Sequence, residues 1–185
     1  MTIASVEESV VLLDDDGREI GSAAKAAVHH QATPLHLAFS CYLFDPDGRV
    51  LLTRRALSKQ TWPGVWSNSF CGHPAPGEQV IDAVRRRAGQ ELGVAIESTE
   101  CVLPEFRYRA VAADGTVENE VCPVFVARTD QQIQADPDEV MDWMWVSWRQ
   151  LRSAPDLPWS ISPWAAHQIP LLDASFYRIV TPVHQ

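Results

Sequence analysis

Three segments of this chain set an Asp-Gly pair between apolar runs: VVLLDDDGREI, CYLFDPDGRVLLTRR and YRAVAADGTVENEVCPVFVAR. Glycine enters the left-handed backbone that a tight reversal needs, and the flanking residues favour extended chain. Each segment therefore reads as a β-hairpin, which commits the chain to a sheet-rich fold. DDDG lacks the spacing of an EF-hand loop, so calcium is not expected there. One stretch changes period. From Glu78 to Leu92, the residues Val80, Ala83, Val84, Ala88 and Leu92 recur at three- and four-residue steps, and Gly93 supplies a stop. Downstream, EVMDWMWVSW is strand-like, and SISPWAAHQIP offers Ser162 as an N-cap with Pro163 at the first helical position. Strands with few intervening helices predict an α/β domain, a mixed β-sheet covered by helices. No linker divides the chain, so residues 1–185 are expected to form a single domain, with 1–35 as an N-terminal β-hairpin arm.

A net charge of -9 argues against a broad footprint on nucleic acid or on an anionic membrane, but leaves room for a local basic pocket. The N-terminus, MTIASVEESVVLLDDDGREIG, has neither a basic leader nor a long apolar run, and no segment approaches the roughly 18 apolar residues of a membrane helix. A cytoplasmic protein is expected. Its cysteines, Cys41, Cys71, Cys101 and Cys122, form no CxxC pair and read as reduced thiols.

The bend SNSFCGHPAPGE sets the thiol of Cys71 two residues from the imidazole of His73. Reading on gives Gly72-x5-Glu78-x7-Arg86-Arg87-Ala88-x-Gln90-Glu91-x-Gly93-Val94, which resembles the Nudix box. In that box, glutamates on one helix face hold Mg²⁺ against a diphosphate, because a hard cation prefers carboxylate oxygens. Here Arg87 and Gln90 stand where two box glutamates would be. Metal-dependent hydrolysis is thereby weakened, while diphosphate binding by Glu91 and an arginine fork is kept.

The segments LHLAFS, TRRALSKQTWPGVWSNSFCGHP, ELGV, FRYRA, ENEVCP, DPDEVMDW and SPW occur in the order seen in type I isopentenyl-diphosphate delta-isomerases, a Nudix-fold family. The resemblance runs over about residues 10 to 165. It implies a reversible 1,3-allylic proton shift between isopentenyl and dimethylallyl diphosphate. An allylic C–H beside an unactivated alkene is too weak an acid to ionise first. The alkene is protonated instead, so the site needs an acid, an opposed base, shelter from water and an electron-rich face near the cation.

By this resemblance Cys71 and Glu120 are the proton-transfer pair, with Tyr108 nearby and Trp164 as the cation-stabilising face. Strand alternation sets Glu118 and Glu120 on one side. On their own they would read as a solvated polar face, but beside His73 and within ENEVCP metal ligation is the stronger reading. The resemblance implies a site of His29, His36, His73, Glu118 and Glu120 for Mn²⁺, Zn²⁺ or Mg²⁺, and a second, diphosphate-bridging Mg²⁺ at Glu91. It assigns Lys25, Arg55, Lys59 and Arg87 to the diphosphate. A small C5 prenyl diphosphate is the expected partner, with no nucleic acid or membrane, and a monomer or weak homodimer. The rival readings are a Nudix hydrolase and a non-catalytic diphosphate- or metal-binding regulator.

Overall fold

A computed structural model describes residues 8–157 and 159–179, with side chains omitted for 175–179. The first hairpin pairs β1 (Ser9–Leu13) with β2 (Glu19–Ala24), and a short helix α1 (Lys25–Val28) leads to β3 (His36–Leu37). The second hairpin is β4 (Phe39–Phe44) and β5 (Arg49–Arg55), followed by the short strands β6 (Trp66–Ser67) and β7 (Phe70–Gly72). Helix α2 (Val80–Leu92) and strand β8 (Ser98–Leu103) precede the third hairpin, β9 (Arg107–Val111) and β10 (Val117–Val121). The chain ends its described part with β11 (Val124–Arg128), β12 (Val140–Ser147), α3 (Trp148–Leu151) and α4 (Pro163–Ile179).

All three Asp-Gly segments are hairpins, and they share one geometry. In the first, Asp14 N–H donates to Arg18 O and Gly17 N–H to Asp14 O. The second repeats this at Asp45, Gly48 and Arg49, and the third at Ala112, Gly115 and Thr116. This is a type I turn closed by a left-handed residue, and Gly17, Gly48 and Gly115 carry φ of 80°, 75° and 88°. The helical period also holds. It begins at Val80 rather than Glu78, because Gln79 is extended while the Glu78 carboxylate accepts from Ala75 N–H and binds Arg86.

The expected mixed β-structure is present and is divided between two sheets. The first sheet runs β2-β1-β3-β10-β9 and the second β12-β5-β4-β11-β8, with β6 on β5 and β7 on β4. Each contains one parallel pair, β3 with β10 and β4 with β11. Ala38 alone separates β3 from β4, and Cys122-Pro123 separates β10 from β11. Two neighbouring strands thus cross from one sheet to the other side by side. Backbone bonds from Ala38 N–H to Val121 O and from Ser40 N–H to Pro123 O keep them paired through the crossing.

Strand β4 is buried on both faces. Phe39, Cys41 and Leu43 pack with Phe70 and with Ala83, Val84, Ala88 and Leu92 of α2. Tyr42 and Phe44 pack on the other side with Trp148, Leu151 and with Trp164, Ile169 and Leu172 of α4. Period-2 alternation thus feeds two cores, which clamp β4 and its partner β7. Among the described residues no helix is long and apolar enough to cross a membrane.

Gly93 ends α2 at φ 66°, with its N–H on Gly89 O, and an added Cβ would lie 2.9 Å from the backbone oxygen of Gln134. Gly93→Ala is expected to cost about 2 kcal/mol, from left-handed strain and this contact. Urea unfolding should show a lower midpoint at unchanged slope, and a wild-type midpoint would contradict the packing described.

Candidate active site

The site lies beside the crossing. Register places His36 of β3 opposite Glu120 of β10, and Glu120 opposite Tyr108 of β9. Alternation puts Glu118 on the same face of β10, while Asn119 turns away to bond Thr33 O. His29 follows α1 in extended backbone, and His73 follows β7. His36 Nε2 and His73 Nε2 lie 3.5 and 3.2 Å from Glu120 Oε1, and His29 Nε2 lies 3.2 Å from Glu118 Oε2. The three imidazole centroids are 5.2–5.7 Å apart. His30 points elsewhere, and its Nδ1 accepts from Ala32 N–H.

The donor atoms fit a divalent cation. One ligand atom from each of His29, His36, His73 and Glu120 falls within 4.8 Å of the others. Glu118 stands outside this group, paired with His29, as repulsion between two carboxylates on one strand face would dictate. Among the described residues, His36 Nε2 and His73 Nδ1 are buried without a hydrogen-bond partner, and His29 Nε2 and Glu118 Oε2 have only their contact with each other. Each such atom costs about 1–3 kcal/mol unless something engages it. His36 Nδ1 is 2.9 Å from Pro34 O, which can only accept, so Nδ1 carries the proton and Nε2 presents a lone pair. Mixed imidazole and carboxylate donors suit Zn²⁺ or Mn²⁺.

The electrostatics are uneven across the cluster. Burial pushes His73 down to about 4, against the pull of Glu120. Burial and the Glu120 charge together raise Glu118. For Glu120, burial opposes ionisation, but the adjacent His36 and His73 outweigh it and hold the carboxyl well below its usual range. Of the two, Glu120 is the more readily ionised.

A cleft of about 630 Å³, counting its open mouth, is lined by every predicted site residue except His36 and Glu91. Cys71 and Glu120 both line this cleft. Burial pushes the Cys71 thiol up to about 11, so it holds its proton at neutral pH. Burial also raises Tyr108 well above the usual phenol. Trp164 lies under the Arg55 guanidinium, 5.4 Å from the ring centroid, and its ring packs against Trp62 and Tyr108.

The cations are already engaged. Lys25 pairs with Glu8, Arg55 donates to Thr61 O, and Lys59 pairs with Glu139. Arg87 reaches Glu91 Oε1 through two nitrogens, at 2.6 and 3.0 Å, and Glu139 Oε1 at 3.2 Å. Glu91 therefore sits behind Arg87, off the cleft wall. Burial lowers Lys59 to about 8. Glu139 bridges Lys59 and Arg87, a role that sequence reasoning missed. Its stretch, DPDEVMDW, gave a strand and a family match but no sign of this long-range contact.

Residues 34–172 match the NUDIX domain family. A protein of Mycolicibacterium vanbaalenii named isopentenyl-diphosphate Delta-isomerase is 67% identical over 168 residues, 91% of this chain and 93% of that one. The chain belongs to the isopentenyl-diphosphate delta-isomerase family. A second such protein, from Clavibacter sepedonicus, is 59% identical over 89% of this chain and 87% of its own. A solved structure from Deinococcus radiodurans shares the fold, with a TM-score of 0.69 at 19% identity over 89% of this chain and 98% of that one. A MutT protein from Methanosarcina mazei does so at a TM-score of 0.61 and 16% identity, over 77% and 96%. Members of the isomerase family use a divalent metal, and the cluster of His29, His36, His73 and Glu120 supplies donors for one.

If these donors bind a cation, adding Zn²⁺ or Mn²⁺ to metal-stripped protein should raise its melting temperature. At a hundredfold excess over Kd the gain is about 2.7 kcal/mol. His36→Ala should abolish the shift, and an unchanged melting curve for the wild type would count against the cluster as a metal site.

Proposed function

We propose that this protein interconverts isopentenyl diphosphate and dimethylallyl diphosphate by protonating one end of the allylic system and deprotonating the other. One observation carries the reading: the thiol of Cys71 and the carboxylate of Glu120 open onto a single cleft, with burial favouring the protonated thiol and the neighbouring histidines favouring the ionised carboxylate. Diphosphate hydrolysis calls for an activated water and not for a thiol and a carboxylate beside an aromatic wall, and a mere binding module has no use for a paired acid and base.

Binding begins with charge. Lys25, Arg55, Lys59 and Arg87 line the cleft and are the residues we assign to the diphosphate oxygens. They bring local positive charge to a chain of net charge -9. Glu139 holds Lys59 and Arg87 in place.

The C5 skeleton then lies toward Cys71 and Glu120. Cys71 S–H is the donor to the terminal alkene carbon, and the positive charge appears on the tertiary carbon. The indole of Trp164 offers that charge its π face. Glu120 takes a proton from the neighbouring carbon and the double bond re-forms one position along. The reverse reaction exchanges their roles. Tyr108, across the strand from Glu120, closes the wall with Trp164 and limits water at the cation.

Two cations belong to this reading. His29, His36, His73, Glu118 and Glu120 would hold Mn²⁺, Zn²⁺ or Mg²⁺, and Glu91 would serve a Mg²⁺ for the diphosphate only by giving up its present contact with Arg87. When bound, these cations fix ligand orientation and neutralise phosphate charge. The proposal includes a cytoplasmic setting, a small-molecule substrate alone, and a monomer or weak homodimer.

The hydrolytic alternative fails at the box. Gln90 Oε1 accepts from Arg86 and Arg87, so an amide between two guanidiniums stands where metal-binding carboxylates would be. Isopentenyl diphosphate supplied with Mg²⁺ in D₂O should yield deuterated dimethylallyl diphosphate by NMR. Cys71→Ala and Glu120→Gln should each lose about 10³-fold in rate. Inorganic phosphate appearing without the isomer would overturn the assignment.

A further inference from the structure

Asn68 lies in the bend between β6 and β7 and is fully buried, although no proposed chemical role touches it. Its amide nitrogen donates to Cys41 O at 3.0 Å and Phe70 O at 2.8 Å. Both partners only accept, so the amide cannot be reversed and Oδ1 is fixed on the opposite side. There it meets Ser67 Oγ at 2.8 Å, Trp164 Nε1 at 2.9 Å and Cys71 Sγ at 3.2 Å. Three donors converge on an oxygen with two lone pairs, so they compete. Ser67 has another outlet in Ser162 Oγ, 2.9 Å away. Cys71 and Trp164 are left to share the carbonyl.

This sharing joins two elements far apart in sequence. Cys71 sits on β7, and Trp164 is on α4, across the second core. Ser40 faces the sulfur from the far side at 3.5 Å, and its oxygen accepts from Gln168 Nε2, whose own Oε1 is held by Tyr42 OH. Gln168 and Tyr42 thus fix the position of Ser40 Oγ, which also lies 3.4 Å from Cys122 Sγ.

We infer that Asn68 is a positioning residue for the isomerisation, using one carbonyl oxygen to set both the S–H direction of Cys71 and the ring plane of Trp164. The inference rests on the proton-transfer role proposed above for Cys71. Because the oxygen is shared, loss of one donor strengthens the bond to the other.

Infrared difference spectra of the S–H stretch test this directly, with Cys71→Ala identifying its band. Asn68→Ala should move that band to higher frequency as the acceptor disappears. Trp164→Phe, which leaves Asn68 in place, should move it to lower frequency, because a carbonyl relieved of one donor is the stronger acceptor for the other. Per folded protein, Asn68→Ala should lose about 100-fold in kcat with KM within about threefold of wild type. A band that Trp164→Phe leaves unmoved overturns the inference, whether or not Asn68→Ala folds. So does wild-type kcat in a folded Asn68→Ala. An inactive wild type would instead overturn the isomerase reading, and the two failures are separable because the band shift needs no turnover.

Discussion

Three imidazoles and two carboxylates cannot be packed together away from water unless a rigid frame holds them and a cation answers their lone pairs. Desolvation disfavours every charged form, and the two glutamates repel each other. The frame here is a parallel pair of strands crossing between two sheets. Backbone bonds fix His36 against Glu120 on one side of the crossing and Ser40 against Cys71 on the other. The apolar cores lie on either side of β4, so the polar cluster is set at a seam and not inside a core. The geometry of the thiol, the carboxylate and the histidines follows from that seam.

Charge is arranged on a second scale. A trianionic substrate must be drawn to a chain with excess negative charge, and the cations that do so must not collapse onto the wrong carboxylates. Glu139 and Glu91 hold Arg87, while Glu139 also holds Lys59. Gly72 belongs to the same arrangement, because a Cβ there would lie 2.8 Å from Arg87 Cγ and 3.0 Å from Phe39. The glycine before His73 therefore lets the arginine pass close to the strand. The departures from the Nudix box make sense together: Arg87 turns toward the cleft, and Gln90 braces it without adding charge.

The hairpins were legible because their cause is local: an Asp-Gly pair and its neighbours fix the turn whatever lies around them. Helix α2 was legible for the same reason, through its apolar period and Gly93. The two-sheet architecture was not, since Ala38 and Cys122-Pro123 carry no local sign that a strand changes sheets there. The candidate metal donors came from the motif order, and the structure separates His29 from His30 by giving the latter a local backbone bond. Glu139 and Asn68 were hidden for another reason. Their partners lie about 80 and 96 residues away in the chain, and neither residue type announces such a contact.

The central claim is that histidine nitrogens and glutamate oxygens take the cation while the neighbouring sulfur is left free to carry a proton. X-ray absorption at the metal edge of the Zn²⁺-loaded protein tests this most directly. The account predicts a first shell of nitrogen and oxygen with imidazole scattering from the histidines. A sulfur scatterer at about 2.3 Å would contradict it, because Cys71 would then be a thiolate ligand with no proton to give.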